Sequence, residues 1–204
     1  MNVLKSTSIF LLFVLCIQIK SQEKFTTYDN TYIGKSYEIQ ISNDKGKFKL
    51  FIDALSIDTM HEKGGILVEE KNYPGFIDAL SEAKLKYEEW VRTAQENDVK
   101  ELNKEMKVKS KVSGYFLYGS KWNFQFLVNL KFDFKIIDSK GEIKYLLLVR
   151  TGELQSSSNQ FMKVDGFLLV FSSSDEIDDF LNSISIDKIT DFTNKPKDED
   201  LFKD

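Results

Sequence analysis

Residues 122–137 (WNFQFLVNLKFDFKII) constrain the fold more than any other stretch of the chain. Trp122, Phe124, Phe126, Val128, Leu130, Phe132, Phe134 and Ile136 take every second position, with Asn123, Gln125, Leu127, Asn129, Lys131, Asp133, Lys135 and Ile137 on the alternate ones. Side chains alternate faces along a strand, so the segment reads as one long β-strand with an apolar and a mostly polar face. Helical spacing would scatter the same aromatics around a cylinder. Straight, the segment would span roughly 50 Å, beyond the usual strand. It is therefore expected to coil, bend or carry a bulge, and to pair with different partners at its two ends.

The flanks extend this strand into a meander over residues 107–171. Residues 107–117 set Val108 and Val112 against Lys107, Lys109 and Lys111, and residues 118–121 (YGSK) turn into the long strand. Residues 138–141 (DSKG) turn out of it. Ile143, Tyr145, Leu147 and Val149 line the next strand, with Leu146 and Leu148 on its other face. Residues 161–171 read as the last strand. It is apolar on both faces from Phe167, as expected of a central strand with a helix over it. Upstream, residues 22–31 read as a polar lead-in. Residues 33–56 read as a hairpin around residues 43–46 (NDKG), a type I turn closing on a left-handed glycine. Residues 66–70 read as a short strand.

Two helices accompany the strands. Pro74 favours a first helical turn, and Phe76, Ile77, Leu80, Ala83, Tyr87, Val91 and Ala94 then form one apolar stripe. This predicts a long helix over about 74–104, ending anywhere from 96 to 106 because Val99, Leu102 and Met106 stay in phase. Ser173 and Glu176 form a capping box before Ile177, Phe180, Leu181 and Ile184, predicting a C-terminal helix over 174–184. Ile186, Ile189 and Phe192 fit one more turn. The expected fold class is α+β: a strongly bent antiparallel sheet of six or seven strands with segregated helices. Seven strands followed by a C-terminal helix resemble the roll of pleckstrin-homology-like proteins in topology, with the long helix as an insertion. No motif accompanies that resemblance, and a fold would not fix a function.

Residues 1–21 read as an export signal: Lys5, an apolar run at 9–17, and Ser21 as a small residue before the cut, leaving Gln22 first. The run is far shorter than the ~20 residues of a membrane span. Phe13, Val14 and Leu15 before Cys16 do not resemble a lipobox, so no lipid anchor is expected. Cys16 is the only cysteine and leaves with the signal, so no disulfide or thiolate is expected in the mature chain. Export without disulfides suits a bacterial periplasm or surface. Residues 22–193 are expected to form one domain, and residues 194–204 a solvated tail. Removing Lys5 and Lys20 takes 28 basic residues to 26 against 32 acids, a net charge near −6. That balance disfavours a nucleic-acid partner.

Catalytic residue types are scarce. His61 is the only histidine, and with Asp58 and Glu62 it offers a weak metal or acid–base cluster. Zinc sites recruit three protein ligands, usually His or Cys, so a solvated loop is the better reading and no cofactor is expected. No serine sits in a G-x-S-x-G elbow, and residues 156–158 read as a polar loop. Glu69, Glu70, Asp165, Asp175, Asp178 and Asp179 form no distinctive pair. Residues 138–142 only loosely suggest a calcium loop and read as a turn. Lys104, Lys107, Lys109 and Lys111 read as a solvated face guarding a strand edge. The turn bearing Tyr115, Tyr118, Lys121 and Trp122 is the candidate binding surface, since Tyr and Trp anchor interfaces. The chain is thus expected to be an exported binding domain rather than an enzyme, contacting a protein or cell-envelope component. A hydrophobic small-ligand or lipid binder with an aromatic cavity is the alternative, and an Asp/Glu-dependent hydrolase the third reading.

Overall fold

In the computed structural model, which describes residues 22–44, 46–58, 60–61 and 63–195, the chain is an α+β fold built on one nine-stranded antiparallel sheet. Strands β1 (Glu23–Asn30), β2 (Lys35–Asp44), β3 (Lys47–Asp53), β4 (Leu55–Ser56) and β5 (Gly64–Glu69) lead through a 3₁₀ turn into α1 (Tyr73–Glu96). Then follow β6 (Leu102–Tyr118), β7 (Lys121–Ser139), β8 (Glu142–Arg150), β9 (Leu154–Gln155), β10 (Lys163–Val164), β11 (Phe167–Phe171), α2 (Ser174–Ser183) and α3 (Ile186–Thr193). The sheet runs β1-β2-β3-β5-β6-β7-β8-β11-β4, and β9 and β10 pair separately. Because β4 follows β3 after the single residue Ala54 and pairs with β11, the sheet curls until it closes on itself. Leu55 faces Leu168 and Ser56 faces Phe167, and the Ile57 amide extends the seam by donating to the Gly166 carbonyl at 3.0 Å.

The expected long helix packs on this sheet. Its stripe of Phe76, Leu80, Ala83, Tyr87 and Ala94 joins Val68, Met106, Val112, Phe132, Phe134 and Leu147 in one buried core. The Tyr87 hydroxyl lies within hydrogen-bond distance of the carbonyls of Tyr145 and Ser172, at 3.1 and 3.0 Å, tying α1 to the sheet. At α2 the expected cap is present: Ser173 Oγ accepts from the Glu176 amide at 3.1 Å. The Glu176 carboxylate reaches back one residue further than in a simple capping box, to the Ser172 amide.

Four expectations are corrected. The long helix ends at Glu96, at the near limit of the expected 96–106 and short of 104, because Asp98 takes a left-handed φ of 51°. The Val99 amide then donates to the Ala94 carbonyl and the Asp98 amide to Gln95, the bonds of a Schellman terminus. Leu102 and Met106, in phase with the helix, belong to β6 instead. Glycine is the usual residue at that left-handed position, so Asp98→Gly is expected to raise stability by about 0.5–1 kcal/mol. A thermal melt checks this, and an unchanged or lower Tm would place the helix end elsewhere.

Second, residues 23–30 are no loose lead-in but a sheet strand, with Tyr28 stacked on Tyr37 at 5.4 Å and edge-on to Phe180 at 5.2 Å. Third, the expected strand at 161–171 is split by Gly166, at φ 107°. A Cβ there would sit 1.9 Å from the Gly152 carbonyl oxygen, so only glycine fits. With β1 and β4 added, the strand count exceeds six or seven. The pleckstrin-homology-like analogy reduces to antiparallel strands followed by a C-terminal helix.

Fourth, β7 does not keep one apolar face. Val128 faces Val112 but Gln125 faces Gly114, so the chain gains a residue around Phe126 and Leu127, with Leu127 at φ 59°. One extra residue reverses which side each later position faces. Past the bulge, Val128, Leu130, Phe132 and Phe134 point into the core as expected. Before it, buried Asn123 takes the core side opposite Phe116, and Trp122, Phe124 and Phe126 turn to the outer face. A leucine in left-handed backbone costs about 1 kcal/mol, and this one is 69% exposed.

Candidate functional site

The bulge builds a site on the outer face of the sheet. The β6–β7 connection is a two-residue turn, Tyr118 facing Lys121, with Gly119 at φ 60° in the first turn position. Tyr115 and Phe124 face each other three residues inside it, and Leu117 faces Trp122. With the outer side selected by the bulge, Tyr115 packs edge-on to Phe51 at 5.4 Å and lies 5.7 Å from Trp122. Phe51, Leu67 and Tyr115 are buried as a small second core, against which Phe124 packs. Trp122 stands at its rim, 50% exposed.

Charge is brought in by the closing seam. Asp53, the last residue of β3, accepts the Tyr115 hydroxyl on Oδ1 at 2.5 Å, and its carbonyl accepts the Tyr28 hydroxyl at 3.2 Å. Burial pushes the Asp53 carboxyl above its ordinary value, while the hydrogen bond from Tyr115 holds part of that shift back. Burial and the neighbouring carboxylate lift the Tyr115 hydroxyl well above its ordinary value, so it remains a donor. Lys63 is fixed by its carbonyl, which accepts the Leu117 amide at 2.9 Å. Asp53, Lys63, Tyr37, Gln40, Tyr115, Trp122 and Phe124 line a cleft of about 310 Å³. The arrangement offers a ring face, an acceptor and a cation within one small concavity.

Of the four residues expected to form a binding surface, two meet here. Tyr115 and Trp122 line the cleft. Tyr118 and Lys121 fall on the opposite parity: Tyr118 packs against the main core and stacks on the His61 ring at 4.7 Å, and Lys121 is exposed at the hairpin tip. Asp53, Lys63, Gln40 and Phe124 escape a sequence reading. Phe124 looks like a core residue until the bulge is known, and Asp53 and Lys63 are joined only by pairings distant in sequence.

The weak cluster is a loop device. His61 Nδ1 lies 2.7 Å from Asp58 Oδ2, and Ser56 Oγ lies 2.7 Å from the carbonyls of both Asp58 and His61. The Met60 amide and then His61 hold the Asp58 carboxyl below its ordinary value. Glu62 lies outside the described residues, and no group of three metal-capable side chains occurs among those described. Three of the other acids have structural partners: Glu69 pairs with Lys71, Glu70 accepts the Phe48 amide and Asp178 pairs with Lys84. No protein-family model, no curated protein and no solved structure matches the chain.

Proposed function

We propose that the protein is a non-enzymatic binding module, exported by the signal read at residues 1–21, whose outer-face cleft engages a carbohydrate-like group on a cell-envelope component. The observation that carries this reading is Trp122. A half-exposed indole is held over buried Tyr115, beside a carboxylate that accepts the Tyr115 hydroxyl and an exposed lysine. Such a ring offers a flat apolar surface, and Asp53, Gln40 and Lys63 supply the few directed polar groups that orient a ligand. About 310 Å³ is at the small end for a ligand site, enough for one sugar ring or side chain presented by a larger partner. Supporting the surface over an interior aromatic cavity, α1 fills the concave side of the sheet with Phe76, Leu80 and Tyr87.

Trp90 and Trp122 are the only tryptophans, so Trp90→Phe leaves Trp122 as sole reporter. Titration of that variant with envelope glycan fragments is expected to shift its emission. In the otherwise unaltered protein, Trp122→Ala is expected to weaken binding roughly 30-fold, as at an interface hot spot. Thermal stabilisation by fatty acids, with no response to glycans, would favour the interior-cavity reading instead.

A further inference from the structure

The outer faces of β6 and β7 carry a second feature. Lys107, Lys109, Lys111, Lys131 and Lys135 alternate with core residues there, and none forms an ion pair among the described residues. On the same face the acids are Glu105 and Asp133, and Asp133 is buried and bonded to Arg150. A chain of acidic balance thus sets five lysines with no ion pair among the described residues side by side on two neighbouring strands. Edge protection accounts for part of this, since β5 pairs with β6 only from Ser113 to Phe116 and leaves the earlier residues flanking an open edge. It does not account for Lys131 and Lys135, which sit on β7 between β6 and β8.

Where the lysine face meets the bulge, the character changes. Phe126 and Leu127 are 55% and 69% exposed. Leu127 holds a backbone conformation that favours glycine, with no burial in return. A soluble polyanion would use the lysines and leave these apolar side chains in water. An anionic bilayer uses both, with cations at the head groups and apolar side chains at the boundary with the acyl chains. No helix among the described residues is long and apolar enough to cross a membrane, so the contact is one of lying on the surface.

We propose that this face docks the protein peripherally on an anionic lipid bilayer, with the five lysines on head groups and Phe126 and Leu127 as the inserted edge. The test is flotation of the protein from Gln22 onward, which keeps every described element, with vesicles of phosphatidylcholine alone or mixed with phosphatidylglycerol. Association is expected only with the anionic vesicles and is expected to fall as salt is raised. Each lysine near an anionic leaflet strengthens partitioning about five-fold, so Lys107→Gln/Lys109→Gln/Lys111→Gln is expected to weaken it on the order of 100-fold. Leu127→Gly relieves the backbone and removes the inserted side chain, so it should melt no lower than the parent yet partition about ten-fold more weakly. Failure of the parent to float, or parental flotation by either variant, overturns the proposal. Retention on immobilised dextran sulfate without flotation overturns it in favour of a soluble polyanion.

Discussion

Phe134→Ala is expected to destabilise the protein by about 3–5 kcal/mol, toward the upper end for a buried phenylalanine. Phe134 is fully buried where α1, β7 and β8 meet. Its ring lies 5.9 Å from that of Tyr87, 5.7 Å from Trp90 and 6.4 Å from Tyr145. Two of those rings come from the helix and one from the neighbouring strand, and the two on the helix are held in place. Tyr87 is fixed by its hydroxyl, and Trp90 is covered by the Lys104 ammonium at 4.5 Å. A cavity whose walls cannot collapse costs both the lost transfer energy and the lost contacts. Equilibrium unfolding in urea checks it: the midpoint should fall with little change in slope. A loss under about 1 kcal/mol would mean that α1 does not press on β7 at this point.

Gly166→Ala should come close to this through strain instead of a cavity. The new Cβ would meet the Gly152 carbonyl oxygen at 1.9 Å, and the backbone at φ 107° disfavours any side chain. Overpacking and backbone strain each cost about 1–3 kcal/mol, so a combined loss of roughly 2–6 kcal/mol is expected. Gly152→Ala is the control, because its φ of 71° is also left-handed but nothing lies within 4 Å of its Cβ. It should cost about 1 kcal/mol. In the Gly166 variant the damage should concentrate where β4 meets β11, with faster amide exchange at Ile57, whose partner is the Gly166 carbonyl. Equal losses in the two variants would remove the steric argument.

Much of this architecture was legible because alternation and helical spacing are physical consequences of burial. Phe132, Phe134 and Ile136 announce a strand, and Phe76, Leu80 and Ala83 a helix, wherever a single face is covered. The bulge was not legible. Phe126-Leu127 contains neither glycine nor asparagine, the residues that mark a left-handed position, and the apolar pattern runs through it unbroken. That one inserted residue decides whether Trp122 and Phe124 are core or surface, so the candidate cleft was only half visible. The helix end hid for a similar reason: Val99, Leu102 and Met106 satisfy the spacing of a helix and the interior of a strand equally well. β1 was missed because its polar sequence becomes a strand only when β2 and α2 supply partners. Asp53 and Lys63 reach Tyr115 and Leu117 through pairings that local spacing does not encode.

The joint between β4 and β11 also sets an order of events. Leu55 and Ser56 must wait for Phe167 and Leu168, which emerge from synthesis more than half a chain later. Hairpins such as β2–β3 and β6–β7 can form as soon as their own residues are available, whereas this joint closes a very long loop and comes late. Until it closes, β4 and β11 each present an unpaired edge. A chain cut short before Phe167 would keep the β4 edge permanently open to another chain. Assembly of the last strand is therefore the step at which this protein is most exposed to aggregation, and the step that a folding helper would have most reason to guard.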